Sequence, residues 1–493
     1  MIIKKDPEEF QNYLSDAANY KGFAEAVYIP ESETELISLI QRCNNDKTLV
    51  TISGNGTGLN GGRVPEGGIV ISLAKLNRII EINHEEKFIR VQPGVLLKDL
   101  QNFVEEQKLF YPPDPTETNC FIGATVATNS SGAKTFKYGS TRNYILALKI
   151  ILADGDTISL ERGNCYAKGF NALLKTDSGK PLYFEIPNIK MPDTKNASAY
   201  YCKENMDLLD LFIGSEGTLG LISEVKLKLL DLPQNVFSCI SFFPAEENAL
   251  DFIDEVRKQS RENNNSADSQ IKARAIEFFD RNSLLFLKED FPNIPSDSHA
   301  AVWFENDFTE NEDLIIEEWM NLLTQFNCSE DCVWIALNKT DQDKFHVFRH
   351  AIAVKVNETV TRRNLKKVGT DNAVPVNHFR NYYYWIKKIV EQENLKYVVY
   401  GHFGDCHPHL NILPQNEQEY IKALELYSKF CIKAVELGGT VSAEHGIGKL
   451  KRKYLQLMYG EANISKMAKL KLIFDKNKIL NIGNIIDKKF FNI

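Results

Sequence analysis

Five glycines fall within nine residues, at Gly54, Gly56, Gly58, Gly61 and Gly62, in the stretch TISGNGTGLNGGRVPEGG. Gly56 to Gly61 fits GxGxxG, a dinucleotide-binding turn, but that turn must open a helix, and Pro65, Gly67 and Gly68 forbid one here. The next element is a β-type run, Ile69 to Leu73. A glycine-rich loop between two strands can still bind a pyrophosphate, because glycines let successive backbone N–H groups converge on an anion with no side chain in the way. The plain alternative is a flexible hairpin.

Two further segments share this character. Residues 112–132, PPDPTETNCFIGATVATNSSG, join a proline-fixed turn to a run of small residues, which permits close approach of backbone to a flat ligand or simply tight packing. Residues 214–222, GSEGTLGLI, do the same just before a strand. Three such segments in one α+β region point to a large phosphate-bearing cofactor.

At 493 residues the chain is long enough for about two to four domains. Short β-type runs at 48–52, 69–73, 88–91 and 147–152 dominate the first part, with helices expected from Ser32, capped with Glu35 three residues on, and over Leu96 to Val104. A strand ends at Leu232-Pro233, and beyond it the helical patterns lengthen, which places a boundary there. Phe345, Phe348, Ile352 and Val356 have helical spacing, as do Tyr420, Leu424, Tyr427, Cys431 and Val435. Residues 176–206 and 260–270 read as irregular surface segments. A net charge of −8 argues against nucleic acid as a partner. No apolar run of about 18 residues stands out, the start lacks a signal-peptide core, and the nine cysteines are scattered without a CxxC pair. Reduced thiols and a cytoplasmic location are therefore expected.

Four of nine histidines lie between 402 and 445. In VVYGHFGDCHPHLNIL, Gly404-Asp405 makes a turn between two β-type runs, and on the returning run His407, His409 and Asn411 share one face while Leu410 and Ile412 take the other. Imidazoles converging from both sides of a turn suit a borderline divalent metal, and Glu444, beside His445 in TVSAEHGIGK, is the natural carboxylate to complete the site. The alternative is a set of surface or hydrogen-bonded core histidines.

With these motifs the chain, from about Tyr28 to Asn484, resembles the FAD-linked D-2-hydroxyacid dehydrogenases, the family that includes D-lactate dehydrogenase, the FAD-linked component of glycolate oxidase and D-2-hydroxyglutarate dehydrogenase. The resemblance implies an α+β fold: a two-part FAD-binding domain of the vanillyl-alcohol-oxidase type at 1–232, an α+β cap domain with an antiparallel sheet at 233–440, and a C-terminal segment, 441–493, returning to the FAD domain. It implies that Gly54, Asn55, Gly56, Thr57, Gly58, Gly61 and Gly62 hold the FAD pyrophosphate. Pro113, Gly123, Ala124, Ala127, Thr128, Asn129 and Gly132 would wrap the rest of the cofactor together with Glu216, Gly217, Gly220 and Ile222. Asn481, in the closing segment, could hydrogen-bond the cofactor or be a turn residue. Residues 53–68 contain no histidine, so FAD attachment is expected to be non-covalent.

The same resemblance implies His402, His409 and Glu444 as ligands of a divalent metal (Zn, Mn or Fe), Asn411 and Arg349 as substrate-binding residues, and His445 as catalytic base. Two departures stand out. The usual HxGDGNxH has Cys406 and His407 in place of Gly and Asn, which leaves open whether His407 joins the metal shell, and Ala353 replaces a threonine often found one turn after the arginine. For Arg349 a solvated helix-face charge is the alternative. The implied reaction is oxidation of a small D-2-hydroxy acid to the 2-oxo acid, with electrons passed to a quinone, an electron-transfer flavoprotein or a cytochrome. A metal-dependent hydrolase, a flavin-bearing partner subunit of a larger oxidase, peripheral attachment to the inner face of a membrane and a homodimer are left open.

Overall fold

A computed structural model describes residues 1–263, 270–309 and 311–492. Its first sheet has four strands in the order Ile2–Lys4, Ala26–Ile29, Ile69–Ser72, Val50–Ser53, the last three parallel. These inner strands are short apolar runs buried on both faces, as parallel strands require. The helix Glu33–Asp46 connects two of them. Ser32 caps it by accepting from Glu35 N at 3.2 Å, but the Glu35 side chain turns back to Glu31 N instead of closing the capping box. At Gly68, φ is +62° and a Cβ would lie 2.2 Å from Leu49 O, so only glycine lets the chain enter the parallel strand.

A second, antiparallel sheet orders Ile79–Asn83, Phe88–Val91, Leu221–Lys228, Ile145–Ile151 and Thr157–Glu161. Residues 176–206 are less irregular than their composition suggests. Pro181–Glu185 pairs with Asn171–Lys175 in a hairpin whose alternating burial follows the period-two pattern, and only the later part is loop.

The third sheet is wholly antiparallel and takes its seven strands from residues 235–412, in the order Val333–Ala336, Asn235–Phe243, Ala300–Phe308, Ala273–Asp280, Tyr397–His402, His407–Ile412, Val368–Gly369. Trp319, fully buried, stacks on Phe304 at 4.2 Å and ties the helix Glu312–Gln325 to the sheet. A side chain of that size contributes about 1.5–3 kcal/mol by burial. Phe348 packs edge-on against Phe279 and Trp334, and with Phe345, Ile352 and Val356 forms the buried stripe of the helix Lys339–Arg362.

Two local expectations are corrected. Residues 260–263 are the last turn of the helix Glu246–Asn263, with Ser260 buried and its hydroxyl oxygen accepting from Ala273 N; residues 264–269 lie outside the described residues. In the helix Glu417–Glu436 the buried stripe runs through Ala423, Leu426, Tyr427, Phe430, Cys431 and Ala434, and Leu424 is exposed, because the core covers a face rotated by about one position from the one its spacing suggested. Ile479 to Asn481, in the C-terminal segment, pack back on the first sheet, where Asn481 N donates to Val50 O at 2.8 Å. All nine cysteines are free thiols, and among the described residues no helix is long and apolar enough to cross a membrane.

Candidate active site

The glycine loop leaves the strand Val50–Ser53 and borders a cleft of about 1460 Å³, counting its open mouth. Gly54 to Gly58 and Gly62 line it, with Gly123, Ala124, Ala127 and Thr128 of the short helix Ile122–Thr128 and with Glu216, Gly217, Gly220 and Ile222. A Cβ built on Gly58 would meet nothing nearer than Asn60 Oδ1 at 3.8 Å, so the backbone there faces open space, which fits a pyrophosphate cradle. Asn481 also lines the cleft, but its side chain is a bracket: Oδ1 accepts from Ile52 N at 2.7 Å and Nδ2 donates to Glu216 O at 2.7 Å.

Four of the expected cofactor residues stand outside this cleft. Gly61 packs on Tyr20, and Pro113 accepts from Gln101 through its carbonyl. Gly132 crosses Asp114 so closely that a Cβ would lie 2.1 Å from its carbonyl oxygen, and Asn129 lines a neighbouring cavity while accepting from Arg142 N and Ser140 Oγ. Arg63, which no motif singles out, lines the cleft, donates to Gly54 O at 3.2 Å and keeps a buried Nε with no partner.

Glu444 and His445 line the same cleft. Behind them the strands Tyr397–His402 and His407–Ile412 form a hairpin with His402 opposite His407 and Tyr400 opposite His409. The chain reverses through Cys406 in the left-handed region at φ +56°. Gly401, at φ +129°, lets the His409 ring cross its strand, since a Cβ would lie 2.8 Å from His409 Cδ2. One nitrogen each of His402, His407 and His409 and one oxygen of Glu444 all lie within 4.8 Å of one another.

Each flanking contact suits a cation. His402 Nδ1 lies 2.5 Å from Glu277 Oε1 and its Nε2 lies 3.1 Å from Glu444 Oε1; His409 directs Nδ1 to Thr370 O at 3.1 Å and Nε2 toward Glu444 Oε2 at 3.8 Å. An acceptor behind one ring nitrogen fixes the tautomer and turns the other nitrogen's lone pair inward, the usual arrangement of metal-binding histidines. Burial keeps the His407 and His409 rings from protonating, with the neighbouring histidines adding to the effect at His409, so their lone pairs are free. Burial would raise the Glu277 carboxyl, but His402 and Arg349 outweigh it and hold it down to about 2. The donor set and its backing acceptors therefore fit a divalent metal ion.

Several residues that complete this arrangement come from distant parts of the chain. Lys195, buried in the loop after the Pro181–Glu185 hairpin, pairs with Glu444 and lies 3.6 Å from Asp405. Asp371 accepts from Glu444 N, His445 N, Ser442 Oγ and Lys451 Nζ, and its Oδ2 lies 3.4 Å from His445 Nδ1. Burial is the main cause holding the His445 imidazole down at about 4, against the pull of Asp371, so the ring is neutral. Glu216 binds the loop after His445 by accepting from Ile447 N and Gly448 N. Glu277 could have been suspected as a lone carboxylate in the apolar run AIEFF; Lys195 carries no local signal.

Arg349 is buried, not a solvated helix charge. Its Nε and Nη2 lie 3.1 and 3.0 Å from Glu277 Oε2, and Nη1 donates to Thr116 Oγ1 at 2.9 Å. Asn411, also buried, shares the strand face of His407 and His409 and donates to His409 O.

Two family descriptions match the chain: "FAD binding domain" over residues 24–161, and "FAD linked oxidases, C-terminal domain" over residues 234–485. The chain is 28% identical to the glycolate oxidase subunit GlcD of Bacillus subtilis (strain 168), covering 99% of this chain and 96% of that protein. It is 29% identical to a D-lactate dehydrogenase of Anaerostipes hadrus, covering 95% and 90%, and 26% identical to a D-2-hydroxyglutarate dehydrogenase of Stutzerimonas stutzeri (strain A1501), covering 98% and 96%. Among solved structures, alkyldihydroxyacetonephosphate synthase superposes with a TM-score of 0.65 over 97% of this chain and 81% of its own at 15% identity, a likeness of fold.

Proposed function

Since this chain belongs to the FAD-linked oxidases, flavoenzymes of the vanillyl-alcohol-oxidase fold, we propose that it oxidises a small D-2-hydroxy acid to the 2-oxo acid with the help of a divalent metal. One observation carries this reading: a single cleft is lined both by the glycine loop and by Glu444 and His445, so a flavin bound along the loop and a substrate at the histidine cluster would share it. The relatives' names agree in substrate class, each being called after glycolate, D-lactate or D-2-hydroxyglutarate.

The glycine loop, the small-residue helix and the segment Glu216–Ile222 would hold FAD, and His402, His409 and Glu444 would hold the metal. When bound, FAD supplies a hydride acceptor and the metal a Lewis acid that polarises the substrate hydroxyl. Arg349 and Asn411 bind and orient the substrate, Arg349 through the N–H groups that Glu277 and Thr116 leave free. His445 receives the hydroxyl proton at Nε2, because its Nδ1 faces Asp371. Asp371 keeps the ring in place by accepting from the backbone N–H groups of Glu444 and of His445 itself. A separate acceptor, a quinone, an electron-transfer flavoprotein or a cytochrome, then takes the electrons.

The test is turnover of a panel of D- and L-lactate, glycolate, D-2-hydroxyglutarate and longer 2-hydroxy acids by the isolated chain with an artificial dye as acceptor. Reduction of the dye with a D-2-hydroxy acid supports the reading. A flavin-loaded chain that reduces dye with none of them overturns it in favour of a non-catalytic, flavin-bearing subunit.

A further inference from the structure

Deepening the reading above, on which it rests, we propose that His407 is a fourth protein ligand of the metal, so that this chain holds its ion with three imidazoles and one carboxylate. His407 is fully buried; its Nε2 lies 3.2 Å from Asp371 Oδ1, and its Nδ1 has no hydrogen-bond partner. Leaving a buried polar atom unsatisfied costs about 1–3 kcal/mol, so a ring held this way calls for a ligand.

The hairpin register supplies the geometry. His402 and His407 stand directly opposite each other across it, and His409 follows on the same strand face. The ring centroids of His407 and His409 are 4.4 Å apart, and those of His402 and His407 5.5 Å. The His407 nitrogen belongs to the same convergent group as the donors of His402, His409 and Glu444.

A backing acceptor completes the parallel among the three rings. His402 has Glu277 behind it and His409 has the Thr370 carbonyl. His407 has Asp371 behind it, with Nε2 3.2 Å from Oδ1. With Nε2–H directed to Asp371, Nδ1 is the nitrogen left for the metal. Asp371 would then hold both His407 and, through the adjacent backbone, the loop carrying Glu444 and His445. Three imidazoles with one carboxylate favour Zn²⁺, Co²⁺ or Fe²⁺ over harder Mg²⁺ or Ca²⁺, which prefer all-oxygen shells.

The test uses the full flavin-loaded chain, stripped with a chelator and reloaded with Zn²⁺. X-ray absorption at the zinc edge counts imidazole ligands: three are expected in the unaltered chain, three in H445N and two in H407N. In competition with a chromophoric chelator, H407N is expected to bind Zn²⁺ at least about 100-fold more weakly while keeping its flavin. Two imidazoles in the unaltered chain, or a count that falls in H445N instead, would overturn the proposal while leaving the metal reading intact. The count in the unaltered chain stands even where H407N fails to fold. Failure of the unaltered chain to bind Zn²⁺, Co²⁺ or Fe²⁺ at all would overturn the metal reading itself.

Discussion

Glu277 Oε1 lies 2.5 Å from His402 Nδ1, while Oε2 of the same carboxylate takes the Nε and Nη2 of Arg349. One buried side chain thus couples a proposed metal ligand to a proposed substrate-binding residue. Glu277→Gln removes the charge that sets the His402 tautomer, so metal affinity is expected to fall about 10- to 100-fold with the flavin retained. Competition with a chelator reads the change, and an unaltered affinity would show that the carboxylate serves Arg349 alone.

Arg349→Ala leaves Glu277 buried with a lost partner, which costs about 3–5 kcal/mol of stability. Adding Glu277→Gln should recover much of that loss, since removing both partners is far less costly than removing one. If Arg349 binds substrate, Arg349→Ala should raise KM, and KM should stay raised in the double variant. Denaturant melts and steady-state kinetics on the three variants separate the two roles; a KM unchanged in Arg349→Ala would make the arginine purely structural.

Loss of His445 acts on the transition state. His445→Ala is expected to lower kcat about 10²- to 10⁴-fold with a smaller change in KM, and to slow flavin reduction in single-turnover mixing. Loss of metal together with activity would instead identify it as a ligand.

Acid denaturation should release the flavin into the supernatant, since attachment is expected to be non-covalent. Gly58→Val adds a side chain where the cleft is open, so the chain should fold and lose its flavin. Gly68→Val, whose Cβ would strike Leu49 O at 2.2 Å, should instead unfold. Circular dichroism with the flavin absorbance distinguishes the two, and full flavin content in Gly58→Val would remove this loop from the cofactor site.

Asp280 caps the helix Arg281–Leu287 by accepting from Ser283 N at 2.8 Å, and burial pushes its carboxyl from 3.8 up to about 6. The folded state therefore binds a proton that the unfolded chain has released, and this group's contribution to stability declines as pH rises from about 4 to about 6. Asn caps equally well and does not ionise. Asp280→Asn should accordingly gain about 1–3 kcal/mol on the unaltered chain above pH 6, with the gain vanishing below pH 4. Denaturant melts across that range provide the check, and a gain independent of pH would mean the ionised carboxylate is not penalised.

Local chemistry was legible in the sequence because it is written in short spacings. The glycine density at Gly54 to Gly62 and the strand that follows it are properties of neighbouring residues, as is the period-two face of His407, His409 and Asn411. These features pointed to a large phosphate-bearing cofactor and gave a metal site as an expectation, while the flavin itself came with the family resemblance. Tertiary structure alone decided what stands behind them. Glu277 reaches His402 across 125 residues of sequence because an adjacent strand brings it there, and Lys195 reaches Glu444 across 249 residues from a loop with no distinguishing pattern. Burial, which lowers the His409 and His445 imidazoles, and the His402 and Arg349 charges, which hold Glu277 ionised against burial, come from atoms spread across the sequence and have no local signature. The hairpin register likewise decided that His407 faces His402 and not solvent, a distinction that a shift of one residue would have reversed.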